Sequence, residues 1–210
     1  LYRAFGLGEI HSLALLDSSE GPCRGTRNHT NSGDSRIQAY VIGPADIRPQ
    51  RKRTPMKRHF DDELADLKQR ILRMGALVEA QIRQALTALV GRDDLVANQV
   101  IQNDRQVNTM DVEIDEICLE LLALHQPAAR DLRFVTMAMK IATELERMSD
   151  LAENICERAI ELHAEPQLKP YIDIPLMAER AIKMVGEALN AFVREDSVLA
   201  RQVLSEDEYA

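Results

Sequence analysis

Two stretches of the chain carry carboxylates at a spacing that could hold a cation. Asp111 and Asp115 form a D-x-x-x-D pair, and Glu146 and Asp150 form an E-x-x-x-D pair. On a helix, residues four apart lie on adjacent turns of one face, so each pair presents two carboxylates together. Oxygen-only ligands suit Mg²⁺, Mn²⁺, Ca²⁺ or iron, and suit zinc less. The spacing is compatible with a metal site and also with a solvated face whose acids pair with Lys and Arg.

Each pair belongs to a longer polar stripe. Asp104 and Asn108 precede the first pair within an arc of about 60°, and Glu153 extends the second. The apolar residues of the first stretch lie about a quarter turn away, so its carboxylates flank the packing face. Two long antiparallel helices joined by a short turn would therefore bring the two stripes side by side.

Long helices are predicted to carry these residues, because apolar residues recur at intervals of three and four from Phe60 onward. Gly91 is expected to end the first helix as its C-cap and Asp93 to cap the second. Pro127 breaks the chain after the second helix. The predicted helices span 61–90, 95–124 and 128–163, then from 174 or 175 to 193, and a fifth follows Asp196.

An internal repeat organises these helices. A shift of 103 residues aligns 74–104 with 177–207 and gives ten identities in 31 ungapped positions, including Asp93 with Asp196. The repeated unit is a helical hairpin followed by a third helix, and the second copy stops before its third helix. The sequence therefore predicts an all-α fold of tandem three-helix bundles with the second bundle truncated. Residues 56–166 would form the first repeat, and residues 171–210 part of the second.

Residues 1–55 differ in composition from the rest of the chain. They hold six of the nine Gly, four of the eight Pro and a net charge of +3, whereas the remainder carries −11. We interpret them as a disordered or non-native leader, with Met56 as the natural start. A transit peptide is an alternative, but the five acids of this segment argue against it.

Composition excludes several function classes. An acidic body is a poor nucleic-acid binder, because phosphates need a basic footprint. There is no apolar run near 18 residues, so no membrane insertion is expected. Three Cys without zinc or CxxC spacing fit a reducing cytoplasm, and Cys118 and Cys156 are expected to be buried.

The histidines do not indicate an enzyme. None of the five His stands three residues after a Glu, which disfavours a diiron oxidase. Walker, dinucleotide-binding, serine-hydrolase and zinc-protease motifs are absent from the sequence. We interpret His59, His125 and His163 as separate surface or helix-capping residues.

Several motifs resemble those of the PhoU family of phosphate-transport regulators. They are the D-x-x-x-D pair, LLALHQPAARDLR at 121–133, KIATELER at 140–147, and ERMSD at 146–150, which matches a family E-R-I-G-D. The resemblance covers residues 56–210 and implies two tandem three-helix bundles. It also implies a non-enzymatic, cytoplasmic negative regulator of phosphate uptake and phosphate-starvation signalling. Such a protein would link the ATPase subunit of the phosphate ABC transporter to a sensor histidine kinase.

The resemblance also implies ligands and partners for particular residues. Family members bind iron, zinc or other divalent ions such as manganese or magnesium through acidic motifs. Carried over, this selects Asp111, Asp115, Glu146 and Asp150 as metal ligands, with Arg147 as a candidate for docking a partner. A homodimer is implied as well. Ser149 replaces the family glycine, a small change that a helix should tolerate.

Two other functions remain open from the residues alone. One is a carboxylate-bridged metal enzyme with hydrolase or redox activity, which would need an open coordination position and a nearby acid–base group. The sequence places no His or Tyr for that role. The other is a purely structural helical module whose acids are only solvated.

Overall fold

A computed structural model describes residues 55–207, which form helices joined by turns and linkers, without a strand in this range. The five helices are α1 (Pro55–Gly91), α2 (Asp94–His125), α3 (Ala129–His163), α4 (Asp173–Arg194) and α5 (Ser197–Asp207). The all-α prediction is confirmed. Within this described range, no helix combines the length and the apolar character that a membrane crossing requires.

Helices α1, α2 and α3 form an antiparallel bundle in which each helix contacts the other two. The links are only two or three residues long, and such short links place consecutive helices side by side. Gln126 takes a left-handed conformation, with φ of 43°, in the turn before Pro127. The bundle interior is aliphatic and rich in Ala and Met, as expected from a chain with few aromatics. Its fully buried large side chains include Leu67, Ile71, Met74, Val78, Val107, Ile114, Val135 and Met148.

Helix α4 packs on α1, and α5 packs on α4. Gly75 allows the close approach, because a Cβ there would lie 2.1 Å from Leu189 Cδ1. Phe134 of α3 stacks on Phe192 of α4, with ring centroids 4.6 Å apart and planes within 8°. One hydrophobic core therefore extends from the first bundle into α4 and α5.

The two inter-helix turns related by the repeat have the same structure. Arg92 and Glu195, which are 103 residues apart, both take left-handed backbone with φ of 55° and 56°. Asp93 and Asp196 each accept hydrogen bonds from the two amides that open the next helix. The repeat found in the sequence is thus also a repeat of backbone geometry.

One feature of the first turn was predicted wrongly. Gly91 is the last residue of α1, and Arg92 takes the left-handed position expected of the glycine. The Arg92 guanidinium donates to the carbonyls of Leu162 at 3.2 Å, His163 at 2.7 Å and Glu165 at 2.6 Å. These bonds to the end of α3 offset the strain that a non-glycine residue meets there.

Two predictions about chain organisation are not decided by the fold. The leader assigned to residues 1–55 lies outside the described residues except for Pro55, the first residue of α1. The division into repeats at 56–166 and 171–210 stays a prediction.

Candidate metal centre

The polar stripe of α2 is oriented by the apolar residues beside it. Val107, Ile114 and Cys118 are fully buried against α1 and α3. Because a helix advances about 100° per residue, this anchoring fixes where Asp111 and Asp115 point. Both aspartates are half-buried at the margin of the α2–α3 contact.

The stripe of α3 is held in the same way. Leu145, Met148 and Ala152 are buried, which leaves Glu146 and Asp150 half-buried at the bundle edge. Helix α3 packs antiparallel to α2, so its carboxylates face those of α2. The predicted meeting of the two stripes is therefore what the fold produces.

Asp104 lies deepest in this region, with only 5% of its surface exposed. Its carboxylate accepts hydrogen bonds from Asn108 Nδ2 at 2.8 Å and from Ser149 Oγ at 2.5 Å. Ser149 Oγ also lies 2.5 Å from Gln81 Oε1. A hydroxyl has one hydrogen, so both contacts are satisfied when Gln81 turns its amide and donates to Ser149. The hydroxyl that replaces the family glycine thus connects α1 to a buried acid of α2.

The carboxylates repel one another. Burial, and then the charge of Asp115, raise the pKa of Asp111. Burial, and then the charges of Asp150, Asp111 and Asp104, raise the pKa of Glu146. The pKa values of Asp150 and Glu153 are raised by burial and then by Asp104. A cation between these groups would relieve both the desolvation and the repulsion.

Two further observations fit a cation. Asp111 Oδ1 and Asp115 Oδ1 are buried, and neither has a hydrogen-bond partner among the described residues. A buried carboxylate oxygen without a donor is costly unless a positive charge approaches it. In addition, carboxylate oxygens of Asp104, Asp150 and Glu153 all lie within 4.8 Å of one another. The donor set contains only oxygen and suits Mg²⁺, Mn²⁺ or iron.

The two nearby thiols do not add to this donor set. Cys118 and Cys156 are fully buried, as predicted. Burial, followed by the charge of Asp115, raises the pKa of Cys118 to about 12. Burial, followed by the charge of Glu153, raises the pKa of Cys156 to about 11. Neither thiol belongs to the group of converging carboxylates among the described residues.

Among the described residues, the converging carboxylates are those of Asp104, Asp150 and Glu153, so one of the four predicted ligands belongs to this group. Charge coupling links Glu146 with both Asp111 and Asp150. Asp104 and Glu153 were recognised only as members of the stripes, although Asp104 stands seven residues before Asp111, two helical turns away on the same face. That spacing was the available signal. Whether these acids bind a metal stays a prediction, and so does partner docking by Arg147, which is exposed beside Glu146.

The amino-acid sequence is similar to those of proteins whose family is known. The family model described as PhoU domain matches residues 71–159. A phosphate-specific transport system accessory protein PhoU homolog of Aquifex aeolicus is 40% identical over 146 residues, which is 70% of this chain and 66% of the relative. The accessory protein PhoU of Escherichia coli is 36% identical over 149 residues, or 71% of this chain and 62% of the relative. The chain therefore spans less than two thirds of these curated relatives.

Solved structures give the same result. The crystal structure of PhoU from Pseudomonas aeruginosa matches with a TM-score of 0.68 and 40% identity, covering 71% of this chain and 72% of that one. The phosphate transport system regulatory protein PhoU from Streptococcus pneumoniae matches with a TM-score of 0.65 and 30% identity, covering 71% and 70%. Sequence and helix arrangement agree, and the chain belongs to the PhoU family.

Proposed function

We propose that the protein is a negative regulator of phosphate uptake and of phosphate-starvation signalling. The observation that carries this proposal is its family membership, since the matched relatives are named as accessory or regulatory proteins of phosphate transport. Those names describe accessory proteins and not enzymes. The protein would act in the cytoplasm as an adaptor between the ATPase subunit of the phosphate ABC transporter and a sensor histidine kinase.

The acidic edge of the bundle is the proposed metal-binding part of this adaptor. Asp111, Asp115, Glu146 and Asp150 would supply oxygen ligands to iron, manganese, magnesium or zinc, with Asp104 and Glu153 extending the set. The orphaned oxygens of Asp111 and Asp115 support this assignment. A bound cation would cross-link α2 and α3, because ligands from both helices would share it.

The partner surface is proposed to lie along the same edge. Arg147 is exposed one residue from Glu146, so a partner that reaches it also meets the acidic stripe. The metal would then either stiffen this face for docking or contribute directly to the contact. A homodimer is part of the proposal through the family resemblance alone.

The regulatory role is tested by alkaline phosphatase activity in phosphate-rich medium, in the source bacterium with this gene disrupted. High activity in the disrupted strain, restored to a low level by the 210-residue chain, is the expected result. Activity as low as in the parent strain would argue against a repressing role. If a chain carrying Arg147→Glu still restores low alkaline phosphatase activity, regulation does not depend on docking at that residue.

Metal binding is tested by titrating the purified chain with Mn²⁺ and measuring bound metal. The Asp111→Asn/Asp115→Asn variant should bind at least about tenfold more weakly, because two charged ligands become neutral. Glu116→Gln/Glu120→Gln is the matched control, since it neutralises two exposed acids four residues apart on the same helix. Equal losses in the two variants would show that only general surface charge attracts the ion.

A further inference from the structure

Two histidines that are far apart in the sequence meet at one end of the bundle. His59 lies near the start of α1, and His125 is the last residue of α2. Glu63, one turn after His59, contacts both of them. Glu63 Oε1 lies 3.1 Å from His59 Nδ1, and Glu63 Oε2 lies 2.6 Å from His125 Nε2. His59 is a surface residue as expected, but the expectation that the two histidines are separate is wrong.

The contact between Glu63 and His125 is close but is not a good hydrogen bond. His125 Nε2 and Glu63 Oε2 are both buried, and within the described part of the chain neither has a partner of acceptable hydrogen-bond geometry. The Phe60 ring lies 4.9 Å from the His125 ring and shields it from solvent on one side. A nitrogen and a carboxylate oxygen are thus held together by the packing without the bond that would normally join them.

We propose that His59, Glu63 and His125 form a zinc-type metal site, distinct from the acidic edge. Imidazole and carboxylate together suit Zn²⁺ and similar transition-metal ions, and two His with one Glu leave a fourth position for water. The site differs from the α2–α3 edge in its donor atoms, because that edge offers only oxygen. It would join the start of α1 to the end of α2, whereas the acidic edge lies between α2 and α3.

The geometry identifies which ligand must move. The two imidazole ring centroids are 6.4 Å apart. Two imidazoles on one tetrahedral zinc, with Zn–N distances of about 2.0–2.1 Å, have ring centres about 5 Å apart. His59 can close this gap because its side chain is 71% exposed, whereas that of His125 is 15% exposed and fixed by packing. Glu63 already lies between them with one oxygen toward each ring.

The helical spacing supports the same assignment. His59 and Glu63 are four residues apart, so both side chains project from one face of α1. His125 is brought to that face by the antiparallel α1–α2 hairpin, because α2 returns toward the start of α1 and ends there before Pro127. A site held by one i,i+4 pair and one residue from a second helix would stabilise the folded state, since the unfolded chain does not assemble it.

The experiment is a titration of the full 210-residue chain with Zn²⁺ alone at about pH 7.5, where imidazoles are neutral. It is done in the Glu146→Gln/Asp150→Asn background, so that ions bound at the acidic edge do not obscure the result. We expect His125→Gln and Glu63→Gln each to lose one zinc equivalent, or to weaken that equivalent at least about 100-fold. Asp62→Asn, which neutralises the exposed acid next to Glu63, is the matched control and should bind as the background does.

A second measurement covers variants that fold poorly. Co²⁺ bound by two imidazoles and a carboxylate in four-coordinate geometry absorbs visible light strongly, whereas Co²⁺ in an octahedral oxygen site absorbs weakly. We expect the strong absorption in the background chain and its loss in His59→Gln, an exposed substitution that should not disturb the core. Weak absorption, or zinc binding unchanged by all three substitutions, would overturn the proposal and leave the cluster as a set of His–Glu contacts. Because Mn²⁺ binding at the acidic edge is measured separately, its failure would not affect this result.

Discussion

Helices α1 and α4 occupy equivalent places in the repeat, yet they bury the same residues to very different extents. Ile71 and Met74 of α1 are fully buried, whereas their counterparts Ile174 and Met177 are 40% and 47% exposed. The Lys183–Glu206 ion pair, at 2.9 Å, shows that α5 reaches only the middle of α4 within the described residues. In the first repeat, α2 and α3 both extend past Ile71 and Met74. An apolar residue type is thus suited to a core, but its burial depends on which helices pack around it.

Truncation of equivalent methionines in α1 and α4 should give the greatest difference in stability. Met74→Ala should lower the free energy of unfolding by about 2–5 kcal/mol, because it opens a cavity in a closed core. Met177→Ala should lower it by less than about 1 kcal/mol, because half of that side chain already meets water. Urea unfolding followed by circular dichroism measures both changes. Equal losses would show that the two helices are equally enclosed in solution.

A smaller effect is expected where the two helices touch. Gly75→Ala should lower the free energy of unfolding by about 1–3 kcal/mol, because the new Cβ overlaps the buried Leu189. Gly186→Ala meets only the flexible end of Glu79, with Oε1 at 2.9 Å, and should change it far less. Gly91→Ala, with no atom within 4 Å of the added Cβ, is the control. The same urea titration ranks the three variants, and a neutral Gly75→Ala would contradict the close α1–α4 contact.

The capping aspartates provide a comparison in which the two repeats should behave alike. Asp93→Ala and Asp196→Ala should each lower the free energy of unfolding by about 1 kcal/mol, because each removes the acceptor of two backbone amides. Thermal unfolding at matched pH measures the pair. A difference of more than about 1 kcal/mol between them would mean that the turns are less equivalent than their backbone angles indicate.

The smallest change in stability is expected from removing one negative charge at the acidic edge of the first repeat. Because the pKa of Asp150 is raised in the folded state, its contribution to stability is present at low pH and is lost as pH rises through that value. In chelator-treated protein, Asp150→Asn should therefore be more stable than the parent at pH 7, and the advantage should shrink as pH falls through the range where Asp150 titrates. Melting temperatures between about pH 4 and 7 measure this.

Glu179→Gln, on the exposed surface of α4, is the control for that series. It removes one negative charge from the second repeat without touching the acidic edge. If it raised the melting temperature at pH 7 as much as Asp150→Asn does, the effect would be one of net charge alone.

Much of the acidic edge could be predicted from spacing. The pairs Asp111/Asp115 and Glu146/Asp150 stand out because i,i+4 acids share a helix face, and the antiparallel hairpin brings Glu146 near enough to Asp111 for their charges to interact. The depth of Asp104 could not be predicted, because it depends on how closely α1 approaches. Ser149 looked like a tolerable replacement, yet it is 1% exposed and bonded to Asp104. The sequence around Ser149 does not indicate that its hydroxyl contacts Asp104 of another helix.

The helices, the capping aspartates Asp93 and Asp196, and the polar and apolar faces could be predicted from the sequence, because these depend on residues within a few positions of one another. The contacts between helices depend on how the helices pack. The tertiary structure gave the left-handed position to Arg92 instead of Gly91 through bonds to the end of α3. It also brought His125 to Glu63, 62 residues earlier in the chain, because the antiparallel hairpin returns to its starting end. Contacts between residues so far apart in the sequence depend on both helix length and helix packing, and a local sequence pattern does not indicate them.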